Sequence, residues 1–213
     1  MIRALYTAAT GMKAQQLYLD NVANNLANIN TTGFKRSQVN FQDLLYDKKF
    51  MAGSESTQGF EIPSGIQLGG GVRPISTTKV FSQGNQQTTN RSLDLAIVGN
   101  GFFQLTRPDG TIAYTRDGAF ELNSKGEMVT ADGLPLSPSI SIQDAKEISI
   151  GTDGTIYVKD SSNTLQNVGQ IMLAIFPNPA GLDNLGRNMY AETIATGAPM
   201  VTAPGQQGAG EIY

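Results

Sequence analysis

The sequence predicts a mainly β protein that has a long N-terminal heptad α-helix, an extended connecting segment and then a compact antiparallel β domain. Two observations support this prediction. Apolar residues recur at alternating steps of four and three through residues 1–29, the spacing of a helix with one apolar stripe. After residue 72, Asp-Gly and Lys-Gly dipeptides recur every seven or eight residues between short runs of aromatic and β-branched side chains, a pattern typical of hairpins.

The helix is predicted to cover residues 2–28, a length of about 40 Å at roughly 1.5 Å per residue. Its apolar stripe, interrupted only by Gln15, is a heptad seam that requires a partner helix. The other faces carry few charges and many Thr, Asn, Ala and Gly residues, which suits close contact on several sides; a polar surface helix is the alternative. The seam expected to form the inter-subunit, coiled-coil contact consists of Leu5, Met12, Leu19, Val22, Leu26 and Ile29.

A dense motif follows at the end of this helix. It comprises Asn24, Asn25, Leu26, Ala27 and Asn28, then Gly33, Phe34 and Lys35, and Gly33 is expected to end the helix in a left-handed conformation. The motif resembles the N-terminal signature of the flagellar rod, hook and hook-associated axial proteins. Within that family the chain is most similar to distal rod subunits, through further stretches in the same order at residues 41–46, 63–65, 71–74, 82–85, 99–103, 114–118 and 197–199.

The resemblance implies a structural subunit of the bacterial flagellar basal body, not an enzyme. Such subunits polymerise helically into the distal rod, the drive shaft that carries torque from motor to hook and encloses the export channel. The implied partners are further copies of the chain, proximal rod and hook proteins, the P and L ring proteins and the export apparatus. The implied location is the periplasm-spanning rod, reached by flagellar export without a cleaved signal peptide.

The resemblance also assigns roles along the chain. Residues 1–33 would form the inner-tube helix, residues 34–72 the connecting segment, and residues 73–213 the outer β domain with a C-terminal tail. Family members end in a second heptad helix that pairs with the first. No long apolar helical period follows Ala145 here, so we expect the seam partner to lie outside this chain.

Residues 47–71 are rich in Gly, Ser, Thr and Gln, a composition that favours a flexible linker. Structureless segments of this length are usually functional or disordered. The resemblance implies a rod-type insertion that neighbouring subunits order and that stiffens the rod. Before it, Phe41, Leu44 and Leu45 are predicted packing anchors.

The β domain is predicted to contain many short strands. They are expected at residues 93–98, 102–106, 111–115, 119–122, 127–130, 139–142, 147–150, 155–159 and 168–176, and the last, being the most apolar, is expected to be central. The predicted core comprises Leu95, Ile97, Phe102, Phe103, Leu105, Tyr114, Phe120, Leu122, Val129, Ile148, Ile150, Ile156, Ile171, Leu173 and Ile175.

Composition argues against several classes of function. The chain has no His and no Cys, which removes the commonest general base, thiolate catalysis and the usual zinc ligands. Each of Asp109, Asp117, Asp132 and Asp153 precedes a Gly and is expected to form a turn. A net charge of −3 offers no field for nucleic acid, and no run is apolar enough to insert into a membrane.

We therefore expect no catalytic residue, cofactor or metal. The alternatives that remain are a proximal rod or hook protein of the same family and, as a different class, an adhesin-like or phage-tail-like β module with a coiled-coil stalk. A hydrolase is disfavoured because His and Cys are missing.

Overall fold

The structure, a computed structural model, describes residues 2–53, 55–57, 60–61, 63–142, 147–159 and 164–213. The chain forms two compact units: Met1–Ile29 with Arg36–Val80, and Asn30–Lys35 with Phe81–Tyr213. Residues 73–80 thus belong to the first unit, whereas the sequence placed them at the start of the β domain.

The first unit is built on helix α1, Ile2–Ala27, which ends one residue before the predicted end. Strand β1, Ser37–Asp43, pairs antiparallel with a later strand of the unit, Val72–Lys79, and the helix packs on this ribbon. Ala14 of the helix and Val39 of β1 are buried. Among the described residues, no helix has both the length and the hydropathy needed to cross a membrane.

Two nested hairpins occupy the connecting segment between those strands. β2, Asp47–Phe50, pairs with β5, Ile66–Leu68, and β3, Glu55–Thr57, pairs with β4, Phe60–Glu61; the strand Val72–Lys79 is β6. The described part of the segment is therefore β structure and not the flexible linker that its composition suggested.

The packing anchors predicted before this segment are mostly wrong. Leu45 is 93% exposed and Phe41 is also exposed, whereas Leu44 is half-buried and its N–H donates to the carbonyl of Gly71 at 2.8 Å. The backbone hydrogen bond at Leu44, rather than apolar burial, closes the base of the hairpin.

In its described residues, the second unit consists of short strands, loops and one 3₁₀ turn, Pro179–Gly181. Its strands are β7 Ile97–Val98, β8 Phe102–Thr106, β9 Ile112–Thr115, β10 Phe120–Leu122, β11 Met128–Thr130, β12 Glu147–Ile150, β13 Thr155–Lys159, β14 Leu165–Gln170, β15 Leu173–Ile175, β16 Asp183–Gly186, β17 Met189–Ala191, β18 Met200–Thr202 and β19 Glu211–Ile212. A six-stranded antiparallel sheet has the order β16-β17-β9-β8-β15-β18, and a three-stranded sheet has the order β12-β13-β14. β10 pairs with β11, and the C-terminal β19 pairs with β7.

Three predicted strands differ in the structure. The run 168–176 is divided between β14 and β15, which belong to different sheets, and Ile171 at the break donates its N–H to Gly154 at 2.9 Å. Residues 139–142 make a single bridge, Ser141 to Glu127. Of residues 93–98, only Ile97–Val98 is a strand. Apolar composition alone did not show where the chain changes sheets.

Both faces of the six-stranded sheet carry apolar side chains. Phe102 and Phe103 are successive residues of β8, and successive residues of a strand point to opposite faces. Phe103 packs edge-on against Phe120, with ring centroids 5.2 Å apart, in the larger cluster. Phe102 packs against Phe176 at 5.7 Å in a smaller aromatic cluster that also holds Tyr190.

Most of the predicted core residues are buried, but Ile148, Ile150 and Ile175 are only half-buried and Leu122 is 38% exposed. Leu122 is the last residue of β10, at the edge of its hairpin. Other apolar side chains outside the predicted core are fully or nearly fully buried, including Met128, Leu136, Ile140, Ile142, Leu182, Tyr190 and Ile212.

Candidate assembly surface of the N-terminal helix

One side of α1 is held in the first unit by small and polar residues. Thr7, Thr10, Ala14, Asn21 and Asn25 are half-buried or buried there. The hydroxyl of Thr10 donates to the Thr7 carbonyl at 2.8 Å and accepts the N–H of Val72 at 3.4 Å. This face therefore supplies hydrogen-bonding groups where a surface helix normally supplies Leu or Val.

Asn25 is the strongest of these attachments. Its amide nitrogen donates to the Ser37 carbonyl at 2.9 Å, and its amide oxygen accepts the Ser37 N–H at 2.9 Å. The same nitrogen donates to the side-chain oxygen of Asn21 at 3.1 Å. Asn25 thus pairs with Ser37 as a backbone would, and fixes the first residue of β1 to the helix.

The first turn of the helix holds the base of the hairpin. Arg3 forms an ion pair with Asp47 and donates to the Leu68 carbonyl at 3.2 Å, so it reaches both β2 and β5. The hydrogen bond from Arg3, assisted by Lys49, lowers the pKa of the Asp47 carboxyl. The pair is solvent-exposed and is therefore weakened by salt.

Five of the predicted seam residues lie on a different face of α1, namely Leu5, Met12, Leu19, Val22 and Leu26. The sixth, Ile29, lies in the turn after the helix, because α1 ends at Ala27. All six are exposed. Their exposed fractions run from 42% for Val22 to 72% for Ile29. At 3.6 residues per turn, this stripe lies about 130° around the helix from the stripe that contains Thr10 and Asn25. The helix therefore attaches through its polar stripe and leaves in solvent an apolar stripe that only Gln15 interrupts, and such a surface marks an interaction site.

The second half of the motif is anchored in the second unit. Gly33 has the expected left-handed conformation, with φ of 68°, and a Cβ there would lie 2.8 Å from the backbone nitrogen of Asp117. Lys35 is nearly buried and donates to the Ser82 carbonyl at 2.7 Å. Burial, together with the nearby Arg116 guanidinium, lowers the pKa of Lys35. The motif thus contains one anchor for each unit, Asn25 and Lys35.

The ionisable groups of the second unit make structural contacts. Asp109 and Asp153 each accept the backbone N–H and the hydroxyl of the Thr two residues later, which confirms the predicted turns. The Tyr114 hydroxyl donates to the Glu192 carboxylate at 3.2 Å. The pKa of Tyr114 is raised to about 12, mainly by burial and secondly by the charge of that carboxylate. Among the residues that the structure describes, no three side chains of the types His, Cys, Asp and Glu converge to hold a metal.

Replacing Asn25 by Ala is expected to lower the free energy of unfolding of the first unit by about 1–3 kcal/mol, because two backbone groups of Ser37 lose their partner. Urea unfolding followed by circular dichroism measures the change. Asn24→Ala is the matched control, since the Asn24 side chain is exposed and accepts or donates no hydrogen bond in the described structure. Equal unfolding free energies for the two variants would contradict the anchoring role.

Comparison with known proteins gives consistent matches along the chain. The family model described as flagella basal body rod protein matches residues 5–35, and the one described as flagellar hook protein FlgE/F/G D1 domain matches residues 96–158. The flagellar basal-body rod protein FlgG of Buchnera aphidicola subsp. Schizaphis graminum is 47% identical over all of this chain and 83% of its own length.

Other relatives agree. The rod protein FlgG of Caulobacter vibrioides is 46% identical over 99% of this chain and 82% of its own length. The flagellar hook protein FlgE of Helicobacter pylori is 36% identical over 92% of this chain, but the match covers only 28% of that hook protein. The chain therefore belongs to the flagellar basal-body rod protein family and is a structural protein of the flagellum, not an enzyme.

Proposed function

We propose that this chain polymerises helically into the distal part of the flagellar rod, where it transmits torque from the motor to the hook. The proposal is supported by a match that covers 83% of the length of a rod-protein relative but only 28% of the length of the hook protein. A proximal rod or hook subunit of the same family is the alternative.

The observation that carries the proposal is the exposed apolar stripe of α1. Leu5, Leu19 and Leu26 are each more than 60% exposed, although Leu is a residue that normally drives burial. Covering such a stripe by a helix of another subunit, or by the helix that closes the family's inner tube, removes apolar surface from water. Assembly would then supply the packing that the helix lacks in the isolated chain.

In this proposal the first unit contributes α1 to the inner tube around the export channel. The β2–β5 hairpin locks adjacent subunits, and the second unit forms the outer wall inside the P and L rings. Partners are further copies of the chain, the proximal rod and hook proteins, and the export apparatus that delivers the subunit across the cell envelope without a cleaved signal peptide.

Cryo-electron tomography of cells that lack the chain tests the proposal. We expect basal bodies with a short, proximal rod, no hook and no swimming, because hook subunits would have no distal rod on which to assemble. Complementation with the wild-type gene should restore full-length rods. Rods that still reach the hook in the deleted strain would contradict the distal assignment.

The hairpin is proposed to set the stiffness of the polymer. Leu45, Phe50, Met51, Ile66 and Leu68 are all exposed on or beside it, so it offers apolar surface to a neighbour. Replacing residues 47–68 by an Asn-Gly turn should yield filaments that bend, because strands β2 and β5 with their contacts are lost. Negative-stain measurement of filament curvature gives the answer, with double substitution of Lys48 and Lys49 by Arg as a control that keeps the hairpin. If filaments of the deletion variant stay straight, another part of the chain determines the stiffness.

A further inference from the structure

The β2–β5 hairpin joins the β1–β6 ribbon through a break in both strands. Residues 44–46 separate β1 from β2, and residues 69–71 separate β5 from β6. All three residues of the second gap are Gly, which has the widest backbone freedom of any residue. Residues 69–71 thus form a glycine hinge, at which a change of dihedral angles reorients the hairpin without separating either pair of strands.

Arg3 links the first turn of α1 to both strands of the hairpin. Its guanidinium forms the ion pair with the Asp47 carboxylate and donates to the Leu68 carbonyl at 3.2 Å. Asp47 and Leu68 are register partners, and they are the pair of the β2–β5 ladder nearest the hinge. Within the described residues, no other side chain of α1 forms a hydrogen bond or ion pair with β2 or β5. These two contacts are the Arg3 clamp, which fixes the hairpin where it leaves the hinge.

The ribbon side of the hinge is attached to α1 without Arg3. Thr10 accepts the N–H of Val72 at 3.4 Å, and a Cβ on Gly71 would lie only 2.4 Å from the Thr10 hydroxyl oxygen. Helix and ribbon should therefore stay together when Arg3 is replaced, whereas the hairpin loses its described polar contacts with the helix.

The Arg3 clamp is weak by itself. The side chains of Arg3 and Asp47 are 46% and 39% exposed, and exposed ion pairs contribute little stability and are screened by salt. Arg3 is the second residue of α1, and the end of a helix frays unless tertiary packing holds it. Leu5 in the same turn is 71% exposed in the isolated chain, so its side chain does not hold this turn. Covering Leu5 by another subunit would hold the turn and, with it, the clamp.

We propose that the Arg3 clamp makes the orientation of the β2–β5 hairpin depend on assembly. In the isolated chain the first turn of α1 frays, the clamp opens, and the hairpin moves about the glycine hinge. When another subunit covers the apolar stripe, the turn becomes ordered and Arg3 fixes the hairpin to the helix, because the partner binds only the ordered helix. The inference rests on the proposed helical polymer and names the residue that couples its seam to its hairpin.

Pulsed electron paramagnetic resonance measures this orientation, because the chain has no Cys and spin labels can be attached at chosen positions. Lys48→Cys on β2 and Thr77→Cys on β6 place labels on exposed residues of the hairpin and the ribbon. In isolated basal bodies, where labelled subunits are diluted with wild-type chain, the distance distribution should be narrow. It should be about twice as broad in the isolated labelled chain, and in basal bodies that contain the labelled Arg3→Gln variant, because the hinge is then free to move.

Lys13→Gln is the matched control for Arg3→Gln, since Lys13 is an exposed cation of α1 that forms no ion pair in the described structure. It should leave the distribution in basal bodies narrow. A narrow distribution with Arg3→Gln in basal bodies, a narrow one in the isolated chain, or equal broadening by Lys13→Gln would each overturn the inference. A wild-type chain missing from basal bodies would instead overturn the proposed function.

Gly69→Ala and salt supply two measurements that a general loss of stability would not reproduce. A Cβ on Gly69 would lie 3.4 Å from the Tyr46 ring, an ordinary contact, and the backbone of Gly69 is not left-handed. Because Ala restricts the hinge, adding Gly69→Ala to Arg3→Gln should narrow the distribution in basal bodies again. A salt concentration of about 1 M should broaden the distribution of the labelled chain that retains Arg3, through screening, but leave that of Arg3→Gln unchanged. Absence of either effect would overturn the inference.

Discussion

Leu26→Asp is expected to abolish rod assembly and swimming while the second unit stays folded. Leu26 is 67% exposed in the isolated chain, so its replacement removes little internal packing. In the assembled seam the same position would be buried against another helix, and an unpaired carboxylate there costs several kcal/mol. The cost recurs in every subunit of a polymer, so a large functional effect is expected from this single exposed residue.

Soft-agar swimming and tomography of basal bodies measure the loss of assembly, and thermal unfolding of the purified chain checks the fold. Asn24→Asp is the matched control, because it introduces the same charge two residues earlier on an exposed position outside the apolar stripe. Cells that swim normally with Leu26→Asp would show that the stripe is not an assembly surface.

Gly118→Ala is expected to cause the largest loss of stability in the second unit. An added Cβ would lie 1.6 Å from the carbonyl oxygen of Leu95, and Leu95 in turn donates its N–H to the Gly118 carbonyl at 2.9 Å. Backbone must separate from backbone to relieve this overlap, and Leu95 belongs to the main core. A loss of more than about 4 kcal/mol is expected, the range in which single substitutions disrupt buried structure.

Gly133→Ala distinguishes this effect from that of an ordinary turn glycine. Gly133 also follows an Asp, but it has φ of 80° and open space around it, so the substitution is expected to cost only about 1–2 kcal/mol of left-handed strain. Urea unfolding of the two variants compares them directly. Equal losses would mean that the approach of Leu95 to Gly118 does not limit stability.

The Asp-Gly and Lys-Gly dipeptides show how far local sequence could determine the fold. Asp109-Gly110 and Lys125-Gly126 connect the β8–β9 and β10–β11 hairpins as predicted, because their glycines adopt left-handed conformations. Asp117-Gly118 has the same appearance in sequence, but it joins β9 and β10, which belong to different sheets. A glycine is required there because the backbone of Leu95, more than 20 residues earlier in the chain, leaves no room for a Cβ. The residues that form the turn do not indicate this long-range contact.

The candidate assembly surface of α1 was likewise determined partly by local sequence and partly by tertiary structure. Heptad spacing by itself determined that Leu5, Met12, Leu19, Val22 and Leu26 share one face of a helix, because the helical period is a local property. It did not show that the helix ends before Ile29. Only the tertiary structure decided that this apolar face is the exposed one and that the face containing Thr10 and Asn25 is attached to the β1–β6 ribbon. That choice depends on hydrogen bonds to Ser37 and Val72, which lie far along the chain. Periodicity shows which residues lie together on a helix, but only long-range contacts determine which side of the helix is buried.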